Sequence, residues 1–301
     1  MSSTTQTSEW SKSRSLGAND IALITTLVVV DSLHLVVGRA LLPYLHPTVS
    51  SLYLMGLGCV VVGAFAVMRG GLSLRVLRDH FWFFMVIGVL IGGSTILTFT
   101  AVRYIDPGTG AMLSKLSVLI SIGLGVLWLG ERLNRRQIAG AALAIVGVGV
   151  ITFQPGEYLR LGSIMVLAGT VMYALHTAIV KRYGEGIEFL SFFFYRLLAT
   201  TAVLVVVVAV TPEASVLDPR GWQVWSLLIG AAVVDVAISR GLFYIALRRF
   251  PMTIHTIILT LSPAVTILWS VLLFDALPRP AQIAGGLLVL VGVMIAMLAQ
   301  E

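Results

Sequence analysis

Long apolar stretches follow one another along almost the whole chain, separated by short polar or turn-forming segments. About twenty apolar residues are enough to cross a bilayer as a helix. The gaps between the stretches leave no room for a soluble domain. The pattern predicts ten membrane-spanning helices, at roughly 20–41, 48–68, 81–102, 107–129, 137–153, 161–180, 188–210, 222–246, 252–274 and 280–299. Residues 1–18, rich in Ser and Thr, are predicted to form a disordered cytoplasmic tail.

The second half of the chain repeats the first. Segment 137–151 matches 282–296 at eight of fifteen positions, at an offset of 145 residues. An earlier Leu-His pair, at 33–34 and 175–176, recurs at an offset of 142. Five spans per half is an odd number, so the second half is inverted in the membrane, as in many secondary transporters. We therefore predict an all-α polytopic membrane protein of two inverted five-helix repeats, at 19–155 and 156–301.

Composition supports this class of fold and excludes several functions. Hydrophobic residues make up 58% of the chain, charged residues 11%, and the mean hydropathy is +0.98. Soluble domains carry about 25% charged residues. A single cysteine, Cys59, excludes an intrachain disulfide and a cysteine metal cluster. No HExxH motif or phosphate-binding glycine loop is present, so we expect no metal, no cofactor and no enzymatic activity.

The net charge of +6 follows the predicted loops. With the N-terminus inside, inner segments hold twelve Lys and Arg residues and outer segments hold five. Short cytoplasmic loops are enriched in Lys and Arg, so both termini are predicted to be cytoplasmic in the inner membrane. The charges act as topological anchors, and we expect no nucleic-acid partner.

Ionisable and hydroxyl side chains inside the spans are the candidates for a substrate site, because a charge within the membrane is costly. Two of them, Asp31 and His34, are three residues apart and share a helix face. Tyr173 and His176 stand at the matching positions of the second repeat. We expect ten residues to line a central cavity: Asp31, His34, Thr95, Lys115, Tyr173, His176, Arg196, Asp235, Arg240 and Thr260.

Most of these features also have a structural interpretation. Asp31 and His34 could fasten helices together, and Lys115 could extend to the outer surface instead of a wet cavity. Residues 92–95, Gly-Gly-Ser-Thr, predict either a softened midpoint of the third span or close packing. Pro263 is expected in the interior of the ninth span, where it frees backbone carbonyls.

Partners for the charges can also be anticipated. Asp235 and Arg240, five residues apart, do not share a helix face. We therefore expect Asp235 to bridge to Arg196 or Lys115, and a structural ion pair is one interpretation of Arg196. The fifth and tenth spans hold no ionisable group, and their glycines predict a structural seam or a dimer seam.

The end of the first repeat resembles a known family. Gly130-Glu131-Arg132, followed by Gln137-Ile138-Ala139-Gly140 and Gly147, together with the inverted ten-span plan, resembles the EamA family of the drug/metabolite transporter superfamily over about residues 20–299. In the second repeat, the position that matches Glu131 is acidic in the family, whereas here it is Ala276, preceded by Asp275. Asp31-Ser32 replaces the usual aromatic-glycine pair of the first helix. The resemblance implies the ten-helix transporter fold and export of amino acids or other small metabolites, with uptake in some members.

The cavity candidates favour a secondary transporter that works by alternating access, most simply an exporter of amino acids or related carboxylates. Lys115, Arg196 and Arg240 would meet a carboxylate, and Asp31 and Asp235 an amino group, with Asp31 also the candidate for proton coupling. Uptake or exchange of organic anions or phosphorylated solutes is the alternative. A lipid-flippase accessory or a membrane enzyme is a third, less favoured class. The expected partners are a small-molecule substrate and the bilayer, with the chain a monomer or homodimer.

Overall fold

A computed structural model describes residues 18–129, 134–153, 157–184, 186–211, 219–249 and 259–298. Within these ranges, nine helical stretches are long and apolar enough to cross a bilayer, and each begins within two residues of a predicted window. The remaining window contains a shorter apolar helix, Ser262–Phe274. The predicted all-α polytopic fold is confirmed. The predicted tail up to residue 17 and the motif Gly130-Glu131-Arg132 lie outside the described residues.

The helices are numbered in chain order. The first half contains α1 Ala18–Asp31, α2 Leu33–Leu41, α3 Pro47–Met68, α4 Leu74–Asp79, α5 Phe81–Ala101, α6 Pro107–Ser114, α7 Ser117–Leu129 and α8 Arg135–Thr152. The second half contains α9 Glu157–Tyr183, α10 Phe189–Val210, α11 Trp222–Ala231, a π-helical segment Ala232–Ile238, α12 Ser239–Arg249, α13 Ser262–Phe274 and α14 Pro280–Leu298. Span 1 is α1 with α2, span 4 is α6 with α7, and span 8 is α11, the π segment and α12. Spans 2, 3, 5, 6, 7, 9 and 10 are α3, α5, α8, α9, α10, α13 and α14.

Spans 5 and 10 pack against each other through glycines. A Cβ atom on Gly140 would lie 2.5 Å from the carbonyl oxygen of Gly292, and one on Gly147 would lie 2.5 Å from that of Gly285. The pairs run in opposite directions along the two helices, so α8 and α14 are antiparallel. The 145-residue offset of the repeat relates Gly140 to Gly285 and Gly147 to Gly292, so the repeat interchanges the two pairs. The seam that the sequence predicts is therefore a contact within one chain, at the centre of an inverted repeat.

Span 3 packs closely along span 6 and is not softened at its midpoint. Helix α5 is continuous from Phe81 to Ala101. The hydroxyl of Ser94 donates to the carbonyl oxygen of Gly169 on α9 at 2.8 Å. The hydroxyl of Thr95 donates to its own helix, at the carbonyl oxygen of Ile91. Of the two predictions for residues 92–95, close packing is the one that holds.

Side-chain caps fix the starts of two spans. The carboxylate of Asp106 accepts a hydrogen bond from the backbone N–H of Thr109 at 2.8 Å, which begins α6 directly after the third span. Asn134 and Gln137 form a reciprocal capping box at the start of α8. Such caps satisfy backbone donors that the first helical turn leaves open.

Candidate functional site

Three spans that carry candidate charges are interrupted within the membrane. Span 1 breaks at Ser32, directly after Asp31. Span 4 breaks at Lys115 and Leu116, between α6 and α7. Span 8 runs through a seven-residue π-helical segment that contains Asp235. Interrupted and π-helical turns are frequent at functional sites, since they expose backbone groups and re-aim side chains. No Pro or Gly stands at these three points, so sequence reasoning missed them.

The break in span 1 is stabilised by span 9. Ser32 donates its hydroxyl to the carbonyl oxygen of Val29 at 2.6 Å. The carbonyl oxygen of Ser32 accepts from the hydroxyl of Thr266 on α13 at 3.0 Å. A backbone carbonyl freed inside a membrane must find such a donor. Ser32 and Thr266 were not among the predicted site residues, and they hold α2 in place relative to α13.

The break in span 4 recurs in the second repeat. The backbone N–H of Lys115 and that of Leu116 bond to carbonyls three residues earlier, which tightens the chain into a turn. In span 9 the helical pattern is interrupted by a turn at Leu261, 145 residues after Leu116. Pro263 was expected in the interior of the ninth span. It lies instead in the first turn of α13, where a missing N–H costs little.

Asp31 lies between two cations from different helices. One oxygen of its carboxylate is 3.9 Å from the Nζ atom of Lys115, and the other is 3.5 Å from a terminal guanidinium nitrogen of Arg240. The three side chains remain 13%, 15% and 16% exposed, respectively. The fold thus brings spans 1, 4 and 8 together around one carboxylate. These groups are close neighbours, and each of them is partly exposed.

A second acid–base pair lies beside the first. The Nδ1 atom of His34 is 2.9 Å from a carboxylate oxygen of Asp235. Asp235 is 2% exposed, and its other oxygen has no hydrogen-bond partner among the described residues. We expected Asp235 to bridge to Arg196 or Lys115. The bridge is to His34 on span 1 instead, and Asp235 lies within the π-helical segment.

His176 and Arg196 are more deeply buried than this cluster. They are 2% and 4% exposed. The ring of His176 lies 5.3 Å from that of Tyr173, with the two ring planes tilted by 57°, and the guanidinium of Arg196 lies 5.3 Å above the ring of Phe193. Among the described residues, neither ring nitrogen of His176 has a hydrogen-bond partner, whereas its repeat counterpart, His34, contacts Asp235.

The two threonine candidates lie within the helical packing. Thr95 is 4% exposed and bonds back to its own helix. Thr260 is 7% exposed and immediately precedes the turn at Leu261. Their role in substrate binding stays a prediction. The polar contacts between the candidate residues centre on five of them: Asp31, His34, Lys115, Asp235 and Arg240.

A cavity of about 780 Å³ opens at one end of spans 1, 3, 8 and 9. Asp31 is eight residues from Arg39 on span 1, and Asp235 is eight residues from Leu227 on span 8, which places the cavity about 12 Å from the charged cluster. Arg39 also donates a hydrogen bond to the carbonyl oxygen of Val102. The lining includes two cations and no acid: Arg39, Ala40, Leu42, Pro43, Tyr44, Arg103, Leu227 and Phe274.

Comparison with known proteins agrees with this architecture. Residues 20–153 and 160–298 each match the model of the EamA-like transporter family. An uncharacterized transporter of Bacillus subtilis is 23% identical over 260 residues, which cover 84% of this chain and 85% of that protein. A probable terminal-alkyne amino-acid exporter of Streptantibioticus cattleyicolor is 26% identical over 197 residues, 64% of each chain. A crystal structure covering 93% of this chain superimposes with a TM-score of 0.64 at 20% identity, which shows a shared fold.

Both halves of the chain match the same family, and the matched segments contain all or most of each described helix. The protein is thus embedded in a lipid bilayer through many spans, and its family moves small molecules. With the two matched segments covering most of the sequence, the chain belongs to the EamA-like transporter family.

Proposed function

We propose that the protein is a secondary transporter that exports amino acids or related small carboxylates across the inner membrane by alternating access. Both termini are proposed to be cytoplasmic, and the working unit is a monomer or a homodimer. The substrate site lies where spans 1, 4 and 8 meet. Lys115 and Arg240 bind the carboxylate of the substrate, and Asp31 faces its amino group.

The balance of charge in the cluster carries this proposal. With His34 counted as neutral, Asp31 and Asp235 supply two negative charges, and Lys115 and Arg240 supply two positive charges, all within spans. A zwitterionic amino acid adds no net charge to this set. A net anion would leave an uncompensated charge inside the membrane, which is costly. The balanced cluster therefore favours a solute that has both charges.

One relative supports the same substrate class. The Streptantibioticus cattleyicolor protein bears the name of a probable amino-acid exporter, and it matches 64% of this chain. An amino acid carries a carboxylate and an ammonium group, which are the two groups that the charged cluster is proposed to bind.

Transport in proteoliposomes tests the proposal. Vesicles containing the purified protein are loaded in turn with each of the twenty radiolabelled amino acids, and efflux is measured against empty vesicles. We expect protein-dependent efflux of at least one amino acid, and loss of that efflux in the Lys115→Ala variant. If no amino acid leaves faster than from empty vesicles, the proposal is wrong.

The cationic cavity favours a second candidate, exchange of organic anions. Arg39 and Arg103 line its wall without an acid among the lining residues, so a net anion would be attracted there. Counter-transport distinguishes the two candidates. Exchange of labelled succinate or glycerol 3-phosphate for unlabelled anion, without amino-acid efflux, would favour the second.

A further inference from the structure

The two acids of the cluster hold their bases differently. His34 and Asp235 are 2.9 Å apart, the length of a normal charge-assisted hydrogen bond. Asp31 approaches Lys115 and Arg240 only to 3.9 and 3.5 Å, which is longer than such a bond. Asp235 is buried, whereas Asp31 and both of its cations are partly exposed. The first pair is a fixed contact and the second is loose and accessible.

The arrangement around Asp31 is that of a bound ligand. Each carboxylate oxygen faces a different cation, one from span 4 and one from span 8. A substrate carboxylate in the proposed site would bridge Lys115 and Arg240 in the same way. We infer that Asp31 is a resident counter-ion, which occupies the place of the substrate carboxylate until substrate enters and then moves to the substrate's ammonium group.

The backbone permits this exchange. Asp31 is the last residue of α1, directly before the break at Ser32, and Lys115 lies in the turn between α6 and α7. Both residues stand at a helix end, where fewer helical hydrogen bonds hold the backbone than in the middle of a helix. The segment after the break is fixed by His34 on Asp235 and by Thr266 on the Ser32 carbonyl. Motion is thereby confined to the Asp31 side of the break.

The exchange makes the site specific for zwitterions. When an amino acid enters, Lys115 and Arg240 keep a carboxylate and Asp31 gains an ammonium group, so no charge is left unpaired. A carboxylic acid without an amino group displaces Asp31 and leaves it without a cation, which is costly in a membrane interior. An amine without a carboxylate is disfavoured in the same way. This inference rests on the proposed function and names Asp31 as the residue that determines specificity.

Matched probe sets and the Asp31→Asn variant test the inference. The probes are leucine with 4-methylpentanoate and 3-methylbutylamine, and phenylalanine with 3-phenylpropanoate and 2-phenylethylamine. Each is tested as a competitor of amino-acid efflux from proteoliposomes and as a stabiliser of the purified full chain. Wild type should bind the amino acids at least roughly tenfold more tightly than the acids or amines. In Asp31→Asn the order should invert, with the deaminated acids binding more tightly than to wild type.

Two further variants keep the result interpretable. Asp235→Asn removes an acid from the same cluster and should not improve binding of the deaminated acids. If the single variant does not fold, the double variant Asp31→Asn with Lys115→Gln is used, because it removes one charge of each sign and keeps the cluster balanced. Its preference for amino acids over deaminated acids should fall toward equality. An amino-acid preference that Asp31→Asn and the double variant both leave unchanged overturns the inference alone. Absence of efflux and of binding for every amino acid in wild type overturns the proposed function as well.

Discussion

The repeat creates two equivalent contacts, and they have diverged. Spans 3 and 6 correspond to spans 8 and 1. The first contact joins two continuous helices through Ser94 and Gly169, and a Cβ atom on Gly162 would lie 2.8 Å from Ile105. The second contact joins a broken helix to one with a π-helical segment, through Asp31 and Arg240. The first contact is built from glycine and hydroxyl packing, the second from ions.

The two contacts are suited to different roles, the packed one to support of the fold and the ionic one to interaction with a solute. Tight helix packing through small residues resists rearrangement, because the backbones have no space between them. Loose ion pairs at helix breaks can be exchanged for contacts with a solute. If the halves of the carrier exchange conformations as proposed, we expect the contact between spans 1 and 8 to be the one that responds to substrate. The contact between spans 3 and 6 keeps the helices in register in the state described here.

The largest expected effect comes from removing a cation from the ionic contact. Arg240→Ala leaves Asp31 with one cation fewer and removes a proposed carboxylate ligand, at a cost of about 3 kcal/mol or more. Amino-acid efflux from proteoliposomes should fall by roughly a hundredfold. The matched control is Arg160→Ala, an exposed arginine outside the cluster, which should leave efflux within about twofold of wild type. Equal losses in both variants would separate Arg240 from the substrate site.

The scaffold behind this comparison could be predicted from the sequence, and the ionic contact only in part. Span positions follow from the length of apolar stretches, and the seam of spans 5 and 10 follows from repeated glycines. The break at Ser32 has no Pro or Gly to mark it in the sequence, and the hydroxyl that binds its freed carbonyl belongs to Thr266, 234 residues later. The predicted partner of Asp235 was also wrong, because its carboxylate contacts His34, which is 201 residues away in the sequence.

A pair of glycine substitutions tests how closely span 6 is packed, with an open position on span 8 as the control. A Cβ atom on Gly162 of α9 would lie 2.8 Å from a side-chain carbon of Ile105 and 2.9 Å from the Cβ of Tyr104. Gly162→Ala should therefore lower the free energy of unfolding by about 1–3 kcal/mol. Gly241 of α12 has open space around its position, so Gly241→Ala should be neutral or stabilise by up to about 1 kcal/mol. Thermal unfolding of the purified variants measures both, and similar losses would mean that the packing at Gly162 is no tighter than at the open position Gly241.

Proton coupling through Asp31 stays a prediction, and it bears on the ionic contact alone. With an inward proton gradient, wild-type efflux should be several-fold faster than without one, because protons entering through the site drive substrate out. The ratio of the two rates should fall to about one in Asp31→Asn, whatever its absolute rate. Ser94→Ala, on the packed contact, is the control and should keep the wild-type ratio. If wild type shows the same rate with and without the gradient, transport is facilitated diffusion.

The smallest effect is expected at Asp106, which lies between spans 3 and 4 at the start of α6. The carboxylate caps α6, so Asp106→Ala should cost about 1 kcal/mol of stability and Asp106→Asn less, since the amide oxygen still accepts from Thr109. Burial raises the pKa of Asp106 above its ordinary value of 3.8, although the hydrogen bonds from Thr109 act in the opposite direction. Its folded-state pKa then exceeds the unfolded one. The protonated Asp106 side chain therefore stabilises the folded state in full below about pH 3.8, and this stabilisation is lost as the pH rises through the raised pKa.

Wild type should therefore lose stability relative to Asp106→Asn as the pH rises from acid toward neutral, because only the carboxyl group titrates. Thermal unfolding of both proteins in detergent over that range measures the difference. A difference that stays constant with pH would mean that the buried carboxyl has the same proton affinity in the folded and unfolded chains. A difference that grows in the opposite direction would mean that the hydrogen bonds from Thr109 outweigh the loss of hydration at this cap.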